Sequence, residues 1–297
     1  MSKKERKISI VIPAKNEAPA LKDFLPLLKS IRPDDQIIIV NDGSEDDTSE
    51  LCQQFNVEEI THPYSKGNGA AIKSGARHAS GDVIVFMDAD GQHQPKDIER
   101  LLNKFDEGYD SVVGARTSRS SQAGVGRWAA NGFYNKLASW VVNTKVEDLT
   151  SGFRAVDARK FKQFLYMLPN GFSYPTTSTM AFFRAGYSVA YEPVDVLKRE
   201  GESHIKPFKD GLRFLLIIFK ICTLYSPLKL FVPVSASFFG AGLVYYAVTF
   251  AMLGRFTNMS MLLLSTSVLV FLIGLVSEQI TMLQYKGTDR DYQRLSD

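Results

Sequence analysis

Two aspartates stand one residue apart where an apolar run ends: Val83-Ile-Val-Phe-Met87 leads into Asp88-Ala-Asp90-Gly-Gln92. Alternate residues of extended chain point the same way, so Asp88 and Asp90 can aim at one point. Two converging carboxylates with no basic neighbour form a hard oxygen site suited to Mg²⁺ or Mn²⁺, a cation that usually arrives with phosphate oxygens completing its shell. The same pair also reads as solvated loop aspartates capping the helix after Pro95. Two further acids, Glu17 and Asp42, follow two other apolar runs, Ile8–Pro13 and Gln36–Val40. In the setting Asp42-Gly-Ser, a plain turn aspartate is the alternative.

The elements that must position these groups follow from periodicity. Uninterrupted apolarity over Val83–Met87 predicts a strand buried on both faces, the kind found in parallel sheets. Helical patterns over Ala18–Ile31, Ser44–Phe55, Lys66–Ala79 and Pro95–Glu107 alternate with that strand and with the runs at Ile8–Pro13, Gln36–Val40, Glu58–Ile60 and Ser111–Arg116. Such alternation predicts a mostly parallel, doubly wound α/β sheet. Sheets of this kind bind ligands at the carboxyl ends of their strands, where Glu17, Asp42 and Asp88 fall. Lys66-Gly-Asn-Gly69 leads into a predicted helix N-terminus, whose N–H groups favour an anionic or nucleotide ligand. Then come a Ser/Gly/Arg-rich loop at 117–127, a helix over Trp128–Val142, the segment Glu147–Arg154, another helix, a strand over Ser188–Val194 and a second polar loop.

The net charge of the 297 residues is only +3, which implies no general polyanion-binding surface and no nucleic-acid partner. Cys52 and Cys222 show neither pairing nor metal-type spacing and read as reduced packing residues. No apolar signal segment precedes the first strand, so export of this part is not expected. Past about residue 210 the solvent changes. Leu230–Leu253 and Met261–Leu283 are each long enough to cross a hydrocarbon core of about 30 Å. Lys206, Lys209, Arg213, Lys220, Lys229, Lys286, Arg290 and Arg294 lie on one side of the pair and only Arg255 on the other, which predicts both termini in the cytoplasm and the hairpin in the cell (inner) membrane. Over Asp210–Tyr225 the cations fall in one stripe of an otherwise apolar helix, as for a helix lying in the headgroup layer; a helix against the soluble part is the alternative. Glu278, near the end of the second run, reads either as functional or as snorkelling to the interface. The expected division is a globular domain over 1–209, an interfacial helix over 210–226, a membrane hairpin over 227–285 and a tail over 286–297.

Pro13-Ala-Lys-Asn-Glu17, Asn41-Asp-Gly-Ser44, Lys66-Gly-Asn-Gly69, Asp88-Ala-Asp-Gly-Gln92 and Ser151-Gly-Phe-Arg154 occur in the order seen in glycosyltransferase family 2. With its hairpin the chain resembles, over nearly its whole length, the dolichyl- or polyprenyl-phosphate hexosyltransferases of that family. The resemblance implies a GT-A nucleotide-sugar-binding fold and a metal-dependent, inverting transfer of a hexose from a nucleoside-diphosphate sugar to a polyprenyl phosphate. It implies that Pro13, Glu17, Asp42 and Lys66 serve the nucleotide. Asp88 then lies on the ribose or metal side, and Asp90 with Gln92 holds the metal on the donor diphosphate. Arg116, Arg127, Asn131 and Arg199 fall where those enzymes face the acceptor phosphate and donor diphosphate, Arg116 and Arg199 being catalytic candidates with Asp90. Solvated surface arginines are the plain alternative.

Departures from the family pattern narrow the reading. Processive members carry Gln-x-x-Arg-Trp after an acidic base; here Arg127-Trp128 precedes Glu147-Asp148 and no glutamine stands three before the arginine. Asp148 lies where hydroxyl-directed members place a general base. A lipid phosphate, whose second ionisation falls near pH 6, needs none, and the alternative for Asp148 is to order Arg154 or its own loop. Two rival readings stand: transfer to a lipid hydroxyl, which requires a working base at Asp148, and a non-catalytic sugar-nucleotide-binding scaffold in the membrane. Expected partners are the sugar nucleotide, the polyprenyl phosphate and the bilayer, with self-association through the hairpin left open.

Overall fold

The computed structural model describes residues 6–116, 125–171, 173–195, 219 and 222–296, the helical stretches 125–131 and 284–296 by backbone alone. The chain forms two compact units, Met1–Ser203 and His204–Asp297. In chain order the first contains β1 (Ile8–Ala14), α1 (Ala18–Ile31), β2 (Gln36–Asn41), α2 (Thr48–Gln54), β3 (Glu58–Thr61), α3 (Asn68–His78), β4 (Val83–Phe86), α4 (Asp97–Phe105), β5 (Ser111–Arg116), α5 (Val125–Val142), β6 (Arg154–Asp157), α6 (Ala158–Lys162), α7 (Tyr174–Arg184) and β7 (Val189–Val194).

The strands form one sheet in the order β3-β2-β1-β4-β6-β5-β7. β1 pairs parallel with β2 (Ala14 opposite Asn41) and with β4 (Val11 opposite Phe86), so all three end at the same edge. As the apolar runs predict, β4 is buried throughout. On one face Ile10, Ile12, Ile37, Ile39, Val83 and Val85 meet Leu21, Leu25 and Leu28 of α1 and Ile98 and Leu101 of α4. On the other α3 lies close: a Cβ on Gly75 would fall 2.3 Å from Cγ1 of Val11. Cys52 is buried, and that burial pushes its thiol up to about 12, as befits a packing residue.

The sheet is mostly parallel, as expected, with one antiparallel strand that the sequence did not announce. β6 enters between β4 and β5, antiparallel to both, with Arg154 opposite Phe86 and Val113. Four residues reading Arg-Ala-Val-Asp carry too little periodicity to announce a strand, and a polar residue at each end argues against one. α2 also begins later than the Ser44 pattern suggests. Ser44 Oγ instead accepts the N–H of Asn16 at 3.0 Å, and Asp46 accepts the Oγ1–H of Thr48 at 2.5 Å.

The second unit is built on α8 (Pro227–Leu253) and α9 (Asn258–Ser296), whose stretches Pro227–Leu253 and Asn258–Leu283 are long and apolar enough to cross a membrane. Gly254 closes α8 in the left-handed region at φ 64°. Small residues let the helices approach: a Cβ on Gly242 would meet Leu264 at 3.0 Å, one on Gly274 would meet Phe231 at 2.6 Å, and Ser235 Oγ donates to the Ser267 carbonyl at 2.9 Å. Outward-facing Phe239, Val244, Leu253, Ile273 and Leu283 are exposed, which fits association with lipid. Of the expected interfacial helix, all but Phe219 and residues 222–226 lies outside the described residues.

Candidate active site

Where β1, β2 and β4 end, the following turns enclose a cleft of about 390 Å³ lined by Pro13, Ala14, Lys15, Glu17, Asp42, Ser65, Gly67, Asn68, Ala71, Asp88, Ala89 and Asp90. The first two turns are laced together. Asn16, at a left-handed φ of 55°, donates to Ser44 and accepts the N–H of Glu45 on Oδ1 at 2.8 Å, while the Ala18 N–H reaches Asp46 at 2.9 Å. That lacing sets Lys15 and Glu17 on the cleft wall.

Asp42 lies in this wall, but its carboxylate is already engaged. Oδ1 meets His62 Nδ1 at 2.6 Å and accepts the Lys66 N–H at 2.8 Å; Oδ2 accepts Ser65 Oγ–H and the Gly67 N–H, each at 2.8 Å. Burial alone would raise its pKa, yet these donors more than offset it and hold the carboxyl at about 2. Asp42 therefore shapes the segment His62–Gly67. Lys66 gives its N–H to that network and sets its ammonium over the Tyr64 ring, 5.8 Å from the centroid.

The glycines after Lys66 permit close backbone approach. A Cβ on Gly69 would fall 2.0 Å from the Pro169 carbonyl oxygen and one on Gly67 2.6 Å from that of Asn170. The Ala70 N–H, which a bare helix start would offer to a ligand, donates to Asn170 O at 2.9 Å, and Lys73 Nζ bonds Leu168 O at 3.2 Å. The expected anion-binding helix N-terminus is thus partly filled by residues 168–171.

Asp88 and Asp90 line the same cleft, both half-buried, and Gln92 donates its backbone N–H to Asp90 Oδ1 at 3.1 Å. A Cβ on Gly152 would fall 2.8 Å from Asp88 Oδ2, so glycine there lets the carboxylate lie against the backbone. The two carboxylates are hard oxygen donors whose chemistry fits Mg²⁺ or Mn²⁺. Among the described residues no group of three or more His, Cys, Asp or Glu could hold a metal. A cation held by the two carboxylates would need further oxygens from water or a ligand.

Arg116 is the last residue of β5, and its charge reaches Asp88. Its guanidinium forks onto Asp148, Nε to Oδ2 at 2.8 Å and Nη2 to Oδ1 at 2.9 Å, with Nη2 also on Thr150 Oγ1 at 2.5 Å. Asp148 further accepts the N–H groups of Thr150 (3.0 Å) and Ser151 (3.1 Å). Burial would raise its pKa, but the Arg116 guanidinium and the N–H groups of Thr150 and Arg116 bring it below the ordinary carboxylate value. Asp148 orders Arg116, not Arg154. Arg154 is fully buried and donates to Pro175 O (3.1 Å), Ser178 Oγ (2.8 Å), Thr179 Oγ1 (3.0 Å) and Ser151 O (2.5 Å).

Sequence reasoning passed over His62 and His93. His93 is 7% exposed, stacked on Phe153 with centroids 4.9 Å apart, and its Nδ1 is buried without a hydrogen bond. Burial pulls its pKa down to about 4, against the charge of Asp90. Its place directly after Gln92 was the available signal; His62, reached only through the fold, had none. The cleft brings together Pro13, Glu17, Asp42, Asp88 and Asp90. Arg199 and the side chains of Arg127 and Asn131 lie outside the described residues.

The profile described as glycosyl transferase family 2 matches residues 9–165, more than half of the chain, and that of the GtrB C-terminal hairpin matches residues 226–283. Undecaprenyl-phosphate 4-deoxy-4-formamido-L-arabinose transferases of Salmonella choleraesuis and Salmonella newport are each 32% identical over 155 residues, 49% of this chain. The match spans only 44% of those relatives' length. Among solved structures, glucosyl-3-phosphoglycerate synthase from Mycobacterium tuberculosis, in complex with Mn²⁺, UDP and glucosyl-3-phosphoglycerate, superimposes with a TM-score of 0.56 at 20% identity, over 73% of this chain and 79% of that one. That likeness is one of fold.

Proposed function

This chain belongs to glycosyl transferase family 2, and on that premise we propose that it moves a hexose from a nucleoside-diphosphate sugar to a polyprenyl phosphate at a membrane. The engagement of Asp148 by Arg116 carries the choice of acceptor. A hydroxyl acceptor needs a base to take its proton; a carboxylate held below its ordinary pKa, with both oxygens bonded, is a poor one. A lipid phosphate ionises near pH 6 and brings its own negative charge to the anomeric carbon. The undecaprenyl-phosphate transferases, similar over part of their length, and the hairpin match support the same acceptor.

In this reading Pro13 and Glu17 bind the nucleoside, and Asp42 holds His62–Gly67, with Lys66, as the far wall. Asp88, Asp90 and Gln92 would hold Mg²⁺ or Mn²⁺, which when bound neutralises the departing nucleoside diphosphate. Arg116, oriented by Asp148, meets phosphate charge beside Asp88; its Nη1 has no hydrogen bond among the described residues. Arg127, Asn131 and Arg199 are assigned to the phosphates on sequence grounds. No positioned nucleophilic side chain is evident among the described residues, so transfer is a single displacement with inversion. The basic residues flanking the hairpin support a cytoplasmic position, at the cell membrane, for residues 1–209 and both termini.

The test presents membranes containing the protein with labelled sugar nucleotides and either polyprenyl phosphate or the corresponding polyprenol. Metal-dependent label in lipid with the phosphate alone is the expected result. Label on the polyprenol would establish a hydroxyl acceptor. Nucleotide binding without transfer from any donor would favour a scaffold.

A further inference from the structure

Arg154 is a cation kept in the core on neutral partners. Among the described residues, its fully buried guanidinium donates to the oxygens of Pro175, Ser178, Thr179 and Ser151 alone, and its Nε has no hydrogen bond. Packing by itself would favour an apolar side chain of similar volume here, because a desolvated charge without a counter-ion is costly. Departures of this kind gather at functional sites. The carboxylates whose charge reaches Arg154 are Asp148 and Asp88, the first bound to Arg116 and the second in the cleft wall.

The turn that Arg154 holds is the seat of Asp88. Nη2 takes the Ser151 carbonyl, and the hydroxyl of Tyr174, a residue only 3% exposed, donates to the next carbonyl, Gly152 O, at 2.9 Å. Asp88 rests against Gly152, where a Cβ would fall 2.8 Å from Oδ2 and 3.2 Å from Oδ1. The Tyr174 ring meets Phe86 edge-on at 5.9 Å and lies 5.8 Å from the Arg154 guanidinium. One residue past Gly152, Phe153 stacks on His93, which follows Gln92. The loop from Asp88 to Gln92 is therefore seated at both ends on Gly152 and Phe153, and α7 fixes that seat. We propose that Tyr174 and Arg154 are positioning residues for the cation site, clamping Ser151–Gly152 so that Asp88 converges with Asp90 on one divalent ion. This role rests on the reading of Asp88 and Asp90 as ligands of Mg²⁺ or Mn²⁺.

Bonds on two successive carbonyls fix both peptide planes that flank the Gly152 Cα. Rotation of either plane would tilt the backbone into the Asp88 carboxylate or leave it unsupported. A binding constellation must be held within about 0.5 Å of its productive geometry. Loosening this turn should therefore weaken ion binding more than it weakens the fold.

The full chain in detergent micelles is titrated with Mn²⁺ alone, the free ion being read from its electron paramagnetic resonance spectrum. Its thermal transition is followed without metal. Tyr174→Phe keeps the ring and removes one donor. It should raise the Mn²⁺ dissociation constant about tenfold, the lower end of what groups orienting metal ligands contribute, with a metal-free transition within a few degrees of wild type. Gly152→Ala, which sets a methyl group against Asp88, should weaken Mn²⁺ binding at least as much. Wild-type affinity in either variant, where Asp88→Asn does lose Mn²⁺, overturns the positioning role alone. A wild type that binds no Mn²⁺, or Asp88→Asn that binds it unchanged, overturns the cation reading, and the positioning role falls with it. Should Tyr174→Phe fail to fold, Ser178→Ala, which takes one acceptor from Arg154, is read by the same two measurements against the same outcomes.

Discussion

Arg116 and Asp148 face each other across 32 residues of sequence in a two-point fork, Nε–Oδ2 2.8 Å and Nη2–Oδ1 2.9 Å, and the Arg116 N–H adds a third contact at 3.3 Å. The carboxylate that sequence position offers as a base is thus the counter-ion of an arginine at the sheet edge. Under the proposed transfer, such a pair would orient a cation for phosphate and leave Asp148 a poor base.

Asp148→Asn therefore separates the two acceptor chemistries. It should lower transfer less than about tenfold, against the roughly 10²–10⁴-fold that a general base contributes. In a pH–rate profile at saturating sugar nucleotide, wild type and variant should both rise through about pH 6 with the acceptor phosphate. An acidic limb that disappears only in the variant would assign it to the enzyme. Asp148→Ala leaves Arg116 unpaired and should destabilise the fold toward the lower end of about 3–5 kcal/mol, since Arg116 is 24% exposed. Urea denaturation measures this.

Asp42→Asn should cost stability before it costs chemistry. An amide cannot accept from all four partners, and each buried donor left unmet is worth about 1–3 kcal/mol. The folded carboxyl sits at about 2 against an ordinary 3.8. A depressed pKa stabilises the fold fully above about pH 4 and loses that contribution as pH falls toward 2. The Tm gap between wild type and variant should accordingly be constant from neutral pH to about pH 4 and shrink below it. A gap that instead grows on acidification would contradict the assignment.

Asp90→Asn removes a charged oxygen from the cleft without touching the core. The thermal transition should stay within a few degrees of wild type, while the dependence of nucleotide binding on Mg²⁺ or Mn²⁺ should disappear. Calorimetric titration with and without metal reads both states. Unchanged metal dependence would remove Asp90 from the cation site.

Residues 1–203, expressed alone, should unfold cooperatively and bind nucleotide as the full chain does, because that unit contains the complete sheet and the cleft. Transfer to acceptor embedded in vesicles should fall at least tenfold. Equal activity on vesicles would show that the hairpin is not needed to present the acceptor.

Much of this molecule is written locally. Runs such as Gln36–Val40 and Val83–Met87 announce buried parallel strands, because a strand covered on both faces must be apolar at successive positions. Asp88-Ala-Asp90 follows one of them, and parallel strands share an edge, so Glu17, Asp42 and the two aspartates could be placed together from the sequence. The two long apolar stretches are equally plain, since a helix that crosses a hydrocarbon core needs about 20 predominantly apolar residues. What tertiary structure decided is how each polar group spends its hydrogen bonds. Asp42 is saturated by residues 62–67, Asp148 by Arg116, and the Ala70 N–H by Asn170, all pairings between residues far apart in sequence. β6 was hidden for the same reason: four residues with polar ends become a strand only because β4 and β5 leave a gap that their backbones can fill. Periodicity records which side of an element faces the core, and carries no trace of a partner that arrives through the fold.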